Sequence, residues 1–237
     1  NGHSAWEMAL TNTLSRGDRV LVLDCGRFAA IWGEMATFLG LDVELVESAP
    51  GCANDPEAFE QRLRDDAAHD IKAVLMAHVD TASSVRNDVP AFRRALDAAA
   101  HPALLIVDCI ASMACEPFEL DEWGVDLALS ASQKGLMTPP GLGIVWPGER
   151  ALAAHPQADI RTRYWDWTAR TEDGPHYLRF CGTPPVTHLF GLREALRMID
   201  EEGLDARWRR HRVLGGAIRA AVAAWSAPGG IGFHVVD

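Results

Sequence analysis

Two residues in this sequence have types and positions that could do carbonyl chemistry together. Lys134 comes shortly after the strand-like run Val125-Asp126-Leu127-Ala128-Leu129, within Ser130-Ala131-Ser132-Gln133-Lys134-Gly135, and the Gly- and Pro-rich stretch up to Gly143 favours a turn over helix continuation. Asp108 ends a second such run, Leu104-Leu105-Ile106-Val107-Asp108. A lysine beside glycine is more often a solvated loop residue. A buried lysine at a strand end can instead be kept partly neutral by desolvation and attack a carbonyl as a Schiff-base nucleophile. In an open α/β sheet the C-terminal ends of consecutive strands face one crevice, so Asp108 and Lys134 are expected to converge there. A pyridoxal phosphate site needs such a pair: an amine for the aldehyde and a counter-charge for the pyridinium nitrogen.

The elements that would hold this pair follow from periodicity. Strands are expected at 20–24, 43–46, 71–78 and 103–108, with helices at about 29–39, from Asp55, and at 90–100 between them. That alternation predicts an α/β fold with a largely parallel sheet covered by helices. The run 142–146 reads as one more strand, antiparallel because too few residues intervene for a crossover helix. The segment 161–185 carries Tyr164, Trp165, Trp167, His176 and Tyr177, and so long a loop suggests a cover over a site or a subunit contact. Helices are expected at 186–202 and 204–225, separated by Gly203.

Composition narrows the classes. With 48% hydrophobic and 23% charged residues among 237, the chain can build a substantial core. A net charge of −11 argues against a nucleic-acid or anionic-membrane surface, and the basic run 207–212 reads as a solvated helix face. No stretch reaches about 18 uninterrupted apolar residues, so no spanning helix is expected. Cys25, Cys52, Cys109, Cys115 and Cys181 form no C-x-x-C pair and read as reduced thiols of a cytoplasmic protein. There is no G-x-x-x-x-G-K-[ST], no G-x-G-x-x-G after the first strand, no S-x-x-K at Lys134 and no H-E-x-x-H, which removes the common nucleotide, acyl-serine and metal readings. The chain opens on Asn1 in what reads as a ligand loop and stops in the strand-like run Val235-Val236-Asp237, as a piece of a longer protein would.

Several blocks, in this order and spacing, resemble class V aminotransferases of fold type I, in particular the serine/alanine–glyoxylate (serine–pyruvate) group. They are Gly2-His3-Ser4-Ala5-Trp6-Glu7, Leu14-Ser15-Arg16-Gly17-Asp18-Arg19-Val20, Val107-Asp108-Cys109-Ile110-Ala111-Ser112, Asp121-Glu122-Trp123-Gly124-Val125-Asp126, Ser132-Gln133-Lys134-Gly135-Leu136, Pro139-Pro140-Gly141-Leu142-Gly143 and Gly191-Leu192-Arg193-Glu194-Ala195-Leu196. The resemblance runs from Asn1 to about Arg212 and implies the fold type I large domain with its mostly parallel, seven-stranded type of sheet. It implies residues 1–185 as a pyridoxal phosphate-binding large domain, 186–225 as helices leading to a small domain, and 226–237 as the start of that domain. It implies Lys134 as the Schiff-base and proton-shuttling residue, Asp108 as partner of the pyridine nitrogen, Phe28 stacked on the ring and Thr81 on the side of the 3′-oxygen. Gly2, His3, Ser4 and Gln133 would hold the phosphate, a role that the helix N-terminus after Asn1 also suits on dipole grounds. Read from the residues alone, that turn is an ordinary N-cap using Ser4. Thr183 matches a position that reaches the neighbouring subunit's phosphate, implying a homodimer with shared active sites. The substrates implied are a small amino acid and a 2-oxo acid such as glyoxylate or pyruvate.

Three features depart from the family pattern. Its Thr-Ser-Thr-Gly reads Thr81-Ala82-Ser83-Ser84 here, and Ser84 is expected to remove the conformational freedom of that glycine. Phe180 stands where some relatives carry a phosphate-binding tyrosine. The arginine for the substrate carboxylate belongs to the small domain, outside these residues. Two further readings stay open: a lyase or desulfurase on the same fold, which would need a mobile-loop cysteine, and a non-catalytic relative.

Overall fold

Along the first strand Val20 and Val22 point to one face and Leu21 and Leu23 to the other, all buried, as period-two alternation requires of a strand covered on both sides. This computed structural model describes residues 1–171, 175–226, 230 and 232–235. The sheet contains β1 (Arg19–Asp24), β2 (Asp42–Glu47), β3 (Ile71–Ala77), β4 (Leu104–Asp108), β5 (Leu127–Ala131) and β6 (Gly143–Pro147), in the order β2-β1-β3-β4-β5-β6. The first five are parallel and β6 is antiparallel to β5, with Ala131 opposite Gly143. Six strands thus make up the sheet among the described residues.

The helices divide between the faces. Trp6, Ala9 and Leu10 of α1 (Gly2–Thr13) and Ala29, Trp32 and Ala36 of α2 (Arg27–Phe38) pack on the Val20/Val22 side. On the other side Phe59 and Leu63 of α3 (Pro56–Asp65) meet Phe92 and Leu96 of α4 (Val89–Ala98), the two phenylalanine rings 5.2 Å apart. Apolar residues one turn apart give each helix one buried stripe. The chain leaves β1 toward β2, then returns to the other side of β1 with β3. The reversal of direction opens a crevice at the C-terminal strand ends.

Beyond β6 come α5 (Glu149–Ala154) and a single 3-10 turn, His155–Gln157. The long segment expected at 161–185 is partly helical, with α6 (Thr168–Thr171) and α7 (His176–Arg179), and 172–174 lie outside the described residues. Its first part is fastened to α1: the Asn12 amide donates to Trp165 O at 2.9 Å and accepts from Trp167 N at 3.0 Å, while Trp167 is buried. Helices α8 (Val186–Glu202) and α9 (Leu204–Trp225) meet at Gly203, whose φ of +77° breaks them. In the expected segment 226–237, residues 227–229, 231, 236 and 237 lie outside the described residues. Among the described residues no helix is long and apolar enough to cross a membrane.

Candidate active site

Asp108, the last residue of β4, lies at the floor of this crevice and is only 6% exposed. Its Oδ1 accepts from Ile110 N at 2.6 Å and its Oδ2 from the Trp6 indole Nε1 at 2.7 Å. Burial pushes the carboxyl up to about 7, against the pull of those two N–H groups; nearby Asp80 adds to the rise and Lys134 opposes it. Lys134 follows the end of β5, the strand paired with β4, so the two residues stand beyond neighbouring strand ends. The lysine itself is exposed, which corrects the expectation of a buried amine: it stands in a loop beyond the covered end of β5.

That loop is built to hold its shape. Ser132 Oγ donates to Pro139 O at 2.8 Å and accepts from Leu142 N at 3.3 Å, and Thr138 Oγ1 donates to Ser132 O at 2.9 Å. A Cβ on Gly135 would strike the Met113 carbonyl oxygen and stand 2.8 Å from Cys115 Sγ, so the chain passes there only as glycine. From α9, Arg207 reaches in to donate to Gly135 O at 2.6 Å and to Ala114 O at 2.8 Å. Arg207 is 2% exposed, which corrects the reading of 207–212 as a wholly solvated face. Its neighbours Arg209 and Arg210 do face solvent.

The turn after β1 and the loop after β3 are bound into one unit by Asp80, which is fully buried. Its Oδ2 accepts from Phe28 N at 2.7 Å and Ala29 N at 3.2 Å, and its Oδ1 from Ala82 N at 2.8 Å and Ser83 N at 3.1 Å. A carboxylate on the first amides of α2 also suits the helix dipole. The close approach explains Gly26, where a Cβ would lie 2.5 Å from Asp80 Cγ. Phe28 is half-buried with its ring edge toward Trp6, centroids 6.4 Å apart. Thr81 is exposed on the same Asp80 loop. Ser84 adopts φ +65°, so the serine occupies the left-handed conformation that it was expected to forbid, held by its N–H to Asp80 O at 2.8 Å.

At the start of α1 the cap is Asn1 rather than Ser4: Asn1 Oδ1 accepts from Ser4 N at 3.3 Å, and Ser4 belongs to the first turn. Gly2 and His3 therefore present first-turn N–H groups that the helix ladder leaves free. A Cβ on Gly2 would lie 2.5 Å from Ile110 Cδ1, so this turn sits directly on the chain that follows Asp108. Nearby in sequence to Lys134, the Gln133 side-chain Oε1 is buried with no hydrogen-bond partner among the described residues. That oxygen can only accept, so a phosphate held by Gln133 would have to take its N–H from the amide nitrogen instead. A helix N-terminus with free N–H groups, a ring, a buried acid and an amine are the kinds of group that pyridoxal phosphate requires, and these residues fit it.

Thr183 stands apart from the Asp108 centre. It stands exposed ahead of α8, with no contact to the Asp108 centre among the described residues. Sequence reasoning singled out neither Trp6, Asp80 nor Arg207. Trp6 lies four residues after Gly2 and so shares its helix face, and Asp80 comes shortly after the end of β3; either spacing could have flagged them. Arg207 had no such signal within a basic run.

Comparison with known proteins accords with this arrangement. The family model described as Aminotransferase class-V matches residues 2–226. The chain is 47% identical over 230 residues to a serine–glyoxylate aminotransferase of Methylorubrum extorquens, covering 95% of this chain and 57% of that protein. It is 42% identical over 228 residues to an L-aspartate–glyoxylate aminotransferase of Paracoccus denitrificans, covering 94% and 56%. The crystal structure of a ureidoglycine–glyoxylate aminotransferase from Bacillus subtilis superposes with a TM-score of 0.84 at 29% identity, covering 94% of this chain and 57% of that one. The chain therefore spans little more than half the length of these relatives.

Proposed function

The chain belongs to the class V aminotransferase family, and from that premise we propose that it is the pyridoxal phosphate-binding part of an enzyme moving an amino group from a small amino acid to a 2-oxo acid such as glyoxylate. The observation that carries the proposal is Asp108, buried at the end of β4 and held by Ile110 N and the Trp6 indole, with Lys134 just past the end of the paired strand β5. Gly2, His3, Ser4 and Gln133 would hold the phosphate of pyridoxal phosphate, Phe28 would cover its ring, and Thr81 would face its 3′-oxygen. When bound, pyridoxal phosphate supplies an aldehyde carbon for an amine and a ring that accepts an electron pair. Asp108 carries the negative charge that keeps the ring nitrogen protonated. Lys134 contributes the resident amine and then takes and returns the proton at the substrate Cα. Asp80 keeps Phe28 and the Thr81 loop at fixed separation, and Arg207 keeps the lysine loop in place.

The remaining roles are part of the same reading. Residues 1–185 form the large domain, 186–225 lead away from it, and 226–237 begin a small domain. Thr183 serves the partner subunit's phosphate in a homodimer, with Phe180 replacing a tyrosine contact there. The five unpaired thiols favour a cytoplasmic setting. Names of similar proteins point to serine, aspartate and ureidoglycine as donors, and in this reading the Ala82-Ser83-Ser84 loop sorts among them. The test uses the full protein loaded with pyridoxal phosphate, each of serine, alanine and aspartate in turn, and glyoxylate, with the glycine formed as readout. Transfer from one or more donors is expected. No transfer from any of them, despite bound cofactor, would favour a non-catalytic relative.

A further inference from the structure

Asp108 is held by one local and one distant donor, and the distant one has no role in the reading above. The bond from Ile110 N is made within the chain turn after β4 and would accompany any aspartate at this position. The bond from Trp6 Nε1 spans 102 residues and is the one side-chain N–H reaching Asp108 among the described residues. Resting on the aminotransferase reading, we propose that Trp6 is a positioning residue for Asp108: its indole N–H, fixed by the aromatic packing of α1, orients the carboxylate and keeps it an anion for the cofactor's ring nitrogen.

The packing makes that donor rigid. Trp6 is 1% exposed, stacked on Trp32 with centroids 5.7 Å apart and planes 14° from parallel, flanked by His3 at 4.5 Å and met edge-on by Phe28. Aromatic packing alone does not align an indole with an acceptor in this cluster, because the buried Nε1 of Trp32 has no partner among the described residues. An N–H aimed at a buried carboxylate is a charge-assisted bond, stronger than a neutral one. It also ties the acid to the same helix whose first turn would take the phosphate, so the two ends of the cofactor site share one rigid element.

The charge balance at Asp108 makes this donor matter. Asp80, from the loop after β3, raises the carboxyl and Lys134, from the loop after β5, lowers it. Beside it along the chain is the Cys109 thiol, itself pushed up by burial. His78, whose backbone N–H donates to Asp108 O at 2.9 Å, is kept neutral by burial, its ring lowered to about 4. His3 of α1 is exposed on the far side of Trp6. With burial already holding the acid to about 7, losing one N–H moves its titration out of the neutral range.

The experiment compares Trp6→Phe with the parent in the full chain, since phenylalanine keeps a ring in the stack and lacks the donor. Carboxyl carbon NMR of the cofactor-free protein, with the Asp108 signal identified by its absence in Asp108→Asn, should show the midpoint raised by about one pH unit in Trp6→Phe. Affinity for pyridoxal phosphate at pH 7 should fall about tenfold and recover at higher pH. In an Asp108→Asn background the same Trp6→Phe change should alter affinity less than about twofold. An unmoved midpoint, or an equal loss in both backgrounds, would make Trp6 a packing residue and overturn the proposal. If Trp6→Phe does not fold, the parent's Trp6 indole N–H resonance decides: it should follow the Asp108 midpoint with pH and lose that response in Asp108→Asn, and a pH-independent resonance would refute the bond's role. A parent that binds no pyridoxal phosphate at any pH would defeat the aminotransferase reading, whereas the two NMR titrations judge Trp6 independently.

Discussion

Replacing Arg207 by methionine should loosen the loop that carries Lys134. Two carbonyl oxygens lose their donors, Gly135 O at 2.6 Å and Ala114 O at 2.8 Å. Leaving a buried carbonyl unpartnered costs about 1–3 kcal/mol. Glu202 is not stranded, because Arg210 still binds it at 2.5 and 2.8 Å. Methionine replaces most of the aliphatic stem, and removing a buried guanidinium relieves its desolvation, which holds the net loss near the lower end, at about 2 kcal/mol. For a chain of this size that is a fall in Tm of about 4–8 °C. Because the loop rather than the core is affected, amino transfer should fall by roughly tenfold to a hundredfold, the effect of a displacement near 1 Å at a reacting group. Arg207→Lys keeps the charge without the fork and should lie between the two. Thermal unfolding and glycine formation from glyoxylate measure both effects on the full protein. A Tm within about 1 °C of the parent, or an unchanged rate, would show that Arg207 does not hold the lysine loop.

Ser84→Gly should raise stability by about 1 kcal/mol, since glycine takes the φ of +65° without the left-handed penalty paid by a residue with a Cβ; urea unfolding that shows a loss would contradict the strain. His78 titrates in the opposite sense to Asp108. Burial lowers its ring from 6.5 to about 4, so the stability it contributes is complete above pH 6.5 and is lost as pH falls toward 4. Asp108, raised to about 7, contributes stability that is complete below its ordinary value and is lost as pH rises through 7. The difference in unfolding free energy between the parent and His78→Asn should isolate the histidine, changing by roughly 3 kcal/mol between pH 6.5 and 4. A difference independent of pH would mean that the ring is not held neutral.

Much of this molecule was legible in order of appearance. Val20 to Asp24, Ile71 to Ala77 and Leu104 to Asp108 are apolar, β-branched-rich runs bounded by turn residues, and each became a parallel strand. Asp108 and Lys134 were singled out because strand ends in such a sheet share a crevice, and the structure does put them at and just past the ends of paired strands. What stayed hidden depends on which residues meet across the fold. The Trp6 indole is visible as a donor to Asp108 only once α1 is packed against the sheet, and Asp80 as a clasp only once the turn after β1 lies beside the loop after β3. Arg207 looked solvated because a basic run on a helix gives no sign that one of its members points inward. The exposure of Lys134 and the left-handed serine were misread for a related reason: loop conformation is decided by the hydrogen bonds the folded loop makes, as Ser84 N makes to Asp80 O, rather than by residue preference.

The central claim, that Lys134 is the amine of a pyridoxal phosphate site, has a direct chemical test. Within this chain the lysines are Lys72 and Lys134, and Lys72 is exposed on β3 with its Nζ donating to His69 O at 2.7 Å, which makes it an internal control. The full protein is incubated with stoichiometric pyridoxal phosphate, reduced with borohydride and digested, and the peptides are weighed. The expected result is a reduced pyridoxyl adduct on Lys134, with Lys72 unmodified and the adduct diminished in Asp108→Asn. An adduct on Lys72 in equal yield, or none on Lys134, would contradict it.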